Sequence, residues 1–187
     1  MEEKSTKIAL LQAGIREIRK YGLSNMSMRR VALNCELSCA TPYKHFKNKD
    51  EFIIEVFNYI HQQWSGIHSK ILEKYPDTRQ QIIETCIAYI KFLVDNPDFR
   101  SILFAQDETL SREQRMAKSR ISHGSLHMIN AYCESVQMPL DVRFRKTYVV
   151  RSLLYGAAFL LGTGELEESE ETYGMIRVLI SREFDIE

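Results

Sequence analysis

Apolar residues recur at helical spacing along this 187-residue chain, and the runs are cut by a small set of stop signals. Residues 5–21 place Ile8, Leu11, Ile15 and Ile18 at i, i+3, i+7 and i+10, one stripe of an α-helix. Ser5 is positioned to cap its start, and Tyr21-Gly22 ends it with the residue suited to the left-handed position past a helix. Later runs break at Tyr75-Pro76, Asn96-Pro97 and Met138-Pro139, since proline has no N–H to give to a helical ladder. No alternating strand pattern of useful length appears, and there are only eight Gly and four Pro. The spacing predicts an all-α chain of nine helices: three small ones in a head over residues 1–48 and six in a body over residues 49–187.

Within the head, Ser27 caps a second helix that turns Met28, Val31, Ala32 and Cys35 inward. After a tight turn comes a third, capped by Ser38 or Thr41 and packed through Leu37 and Phe46. Asn48 and Glu51 have the spacing of a capping box. They open a long helix through Phe52, Val56, Ile60, Trp64 and Ile67. Further helices begin at Asp77 and Asp98 and run over residues 111–137, Leu140–Gly162 and Glu170–Phe184.

Charge divides along the same line. Residues 1–50 hold ten Lys/Arg against five Asp/Glu, a net of +5, while residues 51–187 carry −5. A basic head on an acidic body draws a polyanion to the head. Cys35, Cys39, Cys86 and Cys133 form no CxxC pair and suggest no disulfide framework, and Cys35 and Cys39 are expected as half-buried packing residues. No secretory pattern opens the chain, and the most apolar run, Tyr148–Leu161, is interrupted by Arg151 and too short to span a bilayer. A cytoplasmic protein with no membrane partner is expected. No GxSxG, P-loop, HExxH or strand-borne GxGxxG is present, and Gly162-Thr163-Gly164 reads as a helix stop, so no enzyme is expected.

The segment between Ser27 and Lys49 carries chemistry suited to duplex DNA. Two cations, Arg29 and Arg30, sit at the start of the second helix, where the macrodipole disfavours them unless an anion binds there. A phosphate held by the free N–H groups, the Ser27 hydroxyl and Arg29 resolves that conflict. Lys49 at the start of the long helix offers a second clamp. Between the two lie Cys39, Ala40, Thr41 and Lys44 to face base edges, with Tyr43 and His45 for phosphates. The rival reading is a helical ligand-binding or interaction dimer whose head no longer reads DNA.

In the body, Trp64, Tyr89, Phe92, Phe99, Phe104, Met116, Met128, Tyr155 and Phe159 are candidates to line an apolar ligand cavity, although such side chains are more often plain core. His123 and His127 are spaced i, i+4, and His61 and His68 i, i+7. Pocket or surface histidines are expected there, with no metal or cofactor. The helix over Tyr148–Leu161 is apolar on nearly every face and must be covered all round. One side then faces the core and the other a second subunit. Val150, Leu153, Leu154 and Leu161, with Tyr173, Ile176, Leu179 and Ile180 from the last helix, are the candidates for an isologous four-helix dimer interface.

The stretch VALNCELSCATPYKHFKNKDEF resembles the N-terminal signature of the TetR (tetracycline-repressor-like) family of transcriptional regulators. It shares Ser27, Val31-Ala32, Leu37-Ser38, Tyr43, His45-Phe46, Lys49 and an apolar Phe52. The resemblance covers roughly residues 5 to 55 and is looser in the body, at Tyr89–Phe104 and LLYGAAFLLGTGEL. It implies an all-α homodimer that contacts a palindromic DNA operator through Ser27, Thr41, Tyr43, His45 and Lys49. It also implies a small-molecule effector in the body, most often one that releases a repressor. Two residues depart from the family pattern: Glu36 stands at the turn where Gly is frequent, and Pro42 replaces the aliphatic residue before Tyr43.

Overall fold

The computed structural model describes residues 2–106 and 108–185, with the side chains of Glu2 and His123 outside the described residues. Nine helices and no strand occur among the described residues: α1 (Glu2–Tyr21), α2 (Met28–Leu33), α3 (Pro42–His45), α4 (Lys49–Lys74), α5 (Thr78–Asp95), α6 (Pro97–Phe104), α7 (Arg112–Ser135), α8 (Leu140–Thr163) and α9 (Glu170–Arg182). They form the expected helix-turn-helix head and helical body. No helix is long and apolar enough to cross a membrane among the described residues.

Most boundaries follow the local chemistry. Asp77 accepts from the Gln80 N–H at 2.7 Å to cap α5, and Ser169 does the same for Thr172 at 3.1 Å to cap α9. Gly22 and Gly164 end α1 and α8 at φ 79° and 78°. The Ser5 cap is not used, because α1 starts at Glu2 and Ser5 is an exposed residue inside it. Ile8 is also 37% exposed, while Leu10 takes a place in the core.

The chain forms two compact units that do not divide at residue 48. One runs to Gln63 and takes in Asp98–Ile121. The other comprises Trp64–Pro97 and Ser122 onward. In the first unit α1 packs on α2 and α3, and the first half of α4 adds the fully buried Phe52, Val56, Phe57 and Ile60. Gly14 is the close-approach point: a Cβ there would lie 2.3 Å from the Phe52 ring. Arg19 pairs with Asp98, and Gln114 donates to Asp50 at 3.2 Å. Residues 98–121 therefore brace the head, a role that sequence spacing alone does not reveal.

In the second unit α5 is the central element, packed on α8 and α9 and buried along Ile82, Cys86, Tyr89, Ile90 and Leu93. Trp64 and Phe92 are core residues here, with ring centroids 5.6 Å apart. Arg79 donates to the carbonyls of Ser181 and Phe184, tying the end of α9 to the start of α5. Val150, Leu161, Tyr173, Ile176 and Ile180, expected at a subunit interface, are buried within this chain. Helical phase explains the difference: those positions face α5, so the outward stripes fall on other residues of α8 and α9. Leu179 is 39% exposed, and Leu153 and Leu154 are half-buried.

Candidate nucleic-acid interface and body cavity

The turn between α2 and α3 is built by backbone geometry. Glu36 adopts φ 59°, the left-handed conformation. Its N–H donates to the Leu33 carbonyl at 3.0 Å, and the Leu37 N–H donates to the Ala32 carbonyl at 3.0 Å. This pair of bonds is a Schellman stop, with glutamate where glycine is the easy choice. The Glu36 side chain is exposed.

Beyond the turn the chain enters α3 through bonds of 3₁₀ type. Thr41 N–H donates to the Ser38 carbonyl at 2.9 Å, and Tyr43 N–H to the Ala40 carbonyl at 3.1 Å. Of the two candidate caps, Thr41 takes the cap position with Pro42 behind it at the first helical place, where a missing N–H costs nothing. The Thr41 hydroxyl caps no backbone N–H and pairs instead with the Ser38 hydroxyl at 2.9 Å. Pro42 and Phe46 are buried and anchor the short helix, and Phe46 meets Phe52 edge-on at 4.8 Å.

This anchoring leaves a polar face outward. Cys39, Ala40 and Lys44 are exposed, Tyr43 is 58% exposed, and Thr41 and His45 are half-buried. Cys39 is thus a surface residue, whereas Cys35 is half-buried with its thiol 3.5 Å from the Ala9 carbonyl. Burial pushes the Cys35 thiol up, against the weaker pull of Arg16.

Two helix starts flank the segment. At α2, Ser27 accepts from the Arg30 N–H at 3.4 Å. Arg30 turns inward: its Nε donates to the buried Glu17 carboxylate at 2.5 Å, another N–H donates to the Asn25 carbonyl, and the guanidinium lies over the Tyr21 ring at 4.4 Å. Glu17 also accepts from the Ser27 N–H at 3.4 Å. Arg30 is therefore engaged in the fold, while Arg29 beside it is exposed. At α4 the capping box forms: Asn48 accepts from the Glu51 N–H at 2.9 Å, and Glu51 reaches back to the Lys47 N–H at 2.6 Å. Lys49 is half-buried and donates through Nζ to the Ser24 carbonyl at 2.8 Å, which aims its ammonium and leaves two protons to donate elsewhere.

The second unit contains a small cavity among α5, α7 and α8. Thr85, Cys86 and Tyr89 come from α5, Ser122, Ser125, Leu126 and Ile129 from α7, and Arg151, Leu154 and Tyr155 from α8. Of the expected ligand residues, only Tyr89 and Tyr155 are on this wall. Trp64 stands behind it, 4.9 Å from the Tyr89 ring, and Phe92 is core. Phe104 belongs to the other unit, His127 and Phe159 are exposed, and His123 lies outside the described residues. The missed residues are Cys86, Leu126, Ile129 and Leu154, the short hydroxyls of Thr85, Ser122 and Ser125, and Arg151; none belongs to the aromatic, methionine and histidine set from which the expectation was built. Burial pushes the Cys86 thiol up to about 12, so it stays protonated, and raises the Tyr89 phenol as well. No group of three or more metal-ligating side chains occurs among the described residues.

Residues 10–56 match the family described as bacterial regulatory proteins, tetR family. No curated protein matches as a relative. Among solved structures, a TetR-family transcription regulator from Marinobacter aquaeolei VT8 superposes with TM-score 0.79 at 18% identity over 98% of both chains. The transcriptional regulator FadR from Bacillus subtilis, in complex with stearoyl-CoA, gives 0.73 at 14% identity over 93% of this chain and 97% of that one. AibR, in complex with isovaleryl coenzyme A and operator DNA, gives 0.72 at 15% identity over 94% and 98%. Identities this low show a shared fold.

Proposed function

We propose that this chain, whose head is that of a TetR-family transcriptional regulator, is a dimeric repressor that binds a palindromic operator and releases it when a small molecule occupies the body. One observation carries the reading. The outward polar face of residues 39–45 lies between two helix starts, one presenting Ser27 and Arg29, the other Lys49. A helix end with free N–H groups and a cation beside it suits a phosphate, and two such ends set the register of a short helix in the major groove. Ala40 and the Thr41 methyl suit thymine methyls, Lys44 suits guanine, and Tyr43 and His45 suit backbone phosphates. Arg30 is left out of this assignment because Glu17 holds it. No catalytic step is assigned, and a cytoplasmic location goes with the reading.

Dimerisation supplies the second half-site. The outward stripe of α8 carries Phe144, Tyr148, Phe159 and Leu160, and that of α9 carries Met175, Val178 and Leu179, each at least 39% exposed. Pairing these with a second copy builds the four-helix interface that such exposed apolar stripes call for. The effector role of the body is supported by its cavity and by two fold neighbours whose crystals hold coenzyme A thioesters.

The test is duplex retention across a salt series, with chromosomal fragments selected by the protein itself. The wild type should lose affinity steeply with salt, the log–log slope falling by about 0.9 per neutralised phosphate. Lys49→Ala should flatten that slope by roughly one phosphate and weaken binding about tenfold or more, and Tyr43→Phe should weaken it less. Retention unchanged by either substitution would refute the interface.

A further inference from the structure

The cavity of the second unit has an unusual distribution of polar groups. Its wall is mostly apolar, yet Thr85 on that wall is 1% exposed and its hydroxyl has no hydrogen-bond partner among the described residues. A buried hydroxyl without a partner is costly, and a helix normally offers one to threonine through the carbonyl a turn earlier. Arg151 also borders the cavity and is exposed, with no carboxylate partner among the described residues. Tyr89 feels the Arg151 charge, which pulls its phenol down against the upward push of burial and of Tyr155.

We infer that this cavity takes a short carboxylic acid, its carboxylate paired with Arg151 and held near the Thr85 hydroxyl, its apolar body against Leu126, Ile129 and Leu154. Size limits the body. The recess is small, with a cavity volume of about 30 Å³. That is room for about two waters, hence for two or three carbons, and neither for a ring nor for a long acyl chain. An arginine at the mouth of an apolar recess selects a planar anion with a greasy end, because the guanidinium fork matches a carboxylate in two bonds. The inference rests on the regulator reading, in which the body is the sensing part.

The experiment measures binding of propionate and butyrate to the full chain by calorimetry and thermal shift, beside their neutral amides, decanoate and butyryl coenzyme A. The short acids should bind and raise Tm, and the amides and decanoate should do neither. Arg151→Gln should weaken butyrate about tenfold or more. Thr85→Val should weaken it several-fold while leaving the unliganded Tm equal or higher, since the substitution removes an unpaired polar group without changing shape. A hydroxyl with a purely structural role would show the reverse pattern. Equal binding of acids and amides, binding of decanoate or of the thioester in place of the free acids, or indifference to Arg151→Gln overturns the proposal. Duplex retention is followed in parallel. Retention without acid binding defeats this site alone, whereas acid binding without retention defeats the regulator reading and leaves the site standing.

Discussion

Glu36 holds its backbone at φ 59° in the turn of the helix-turn-helix, a conformation that crowds any Cβ. Its exposed side chain has no hydrogen bond or ion pair among the described residues, so Glu36→Gly should stabilise the protein by about 0.5–1 kcal/mol, read as a higher urea midpoint at unchanged slope. His68 shows a different residue-scale effect. It stacks on Trp64 with centroids 5.8 Å apart, and its Nε2 is buried without a partner among the described residues. Burial holds its pKa below the ordinary value. A histidine depressed in the fold binds more protons once unfolded, so stability is full above about pH 6.5 and declines as pH falls toward the folded pKa. His68→Phe keeps the stack and should flatten the stability profile below about pH 6.5, where wild type declines. A profile of unchanged slope would mean that other groups set it.

Among the elements, α1 packs closely against α4 at Gly14. A methyl added there would lie 2.3 Å from the Phe52 ring, which is fully buried and cannot swing away without leaving Phe46. Gly14→Ala should cost about 1–3 kcal/mol or more, although alanine is the better helix former, and thermal melts should show it. A neutral or stabilising result would mean that the two helices separate freely. The same contact links packing to function, because Phe46 closes α3 and Phe52 follows the α4 start that carries Lys49. Glu55 adds a charged tie between α1 and α4. Burial alone would raise its carboxyl, but hydrogen bonds from Lys7 and Asn58 outweigh it and hold the group below its ordinary value. Its contribution is therefore present at neutral pH and lost as pH falls through the depressed pKa.

For the whole molecule, the question is what covers the outer stripes of α8 and α9. Phe159 and Val178 are 51% and 52% exposed in the single chain. A double change, Phe159→Glu with Val178→Glu, places like charges opposite themselves in an isologous interface. Light scattering should then report one chain where wild type reports two, and retention of a two-half-site duplex should fall sharply. A variant that stays dimeric would place the subunit contact elsewhere. A methyl group at Gly156 or Gly174 would meet no atom of the described residues within 4 Å, which leaves room for close helix approach on that side.

Local chemistry determined a large share of this protein from sequence alone: the number of helices among the described residues, the helix starts at Asp77 and Asn48, the stop at Gly22 and the polar character of residues 39–45. Those features depend on a few neighbouring residues, whose preferences act within a turn or two of backbone. Only tertiary structure decided which face of an apolar-all-round helix turns inward, so Val150 and Leu161 joined the core while Phe159 and Leu160 stayed out. It also withdrew Arg30 through Glu17, thirteen residues away, and brought Thr85 and Arg151 to one cavity across sixty-six residues of chain. Helical periodicity ranks faces by hydrophobicity, and on α8 every face scores alike. Contact between distant helices then makes the choice that the local pattern leaves open.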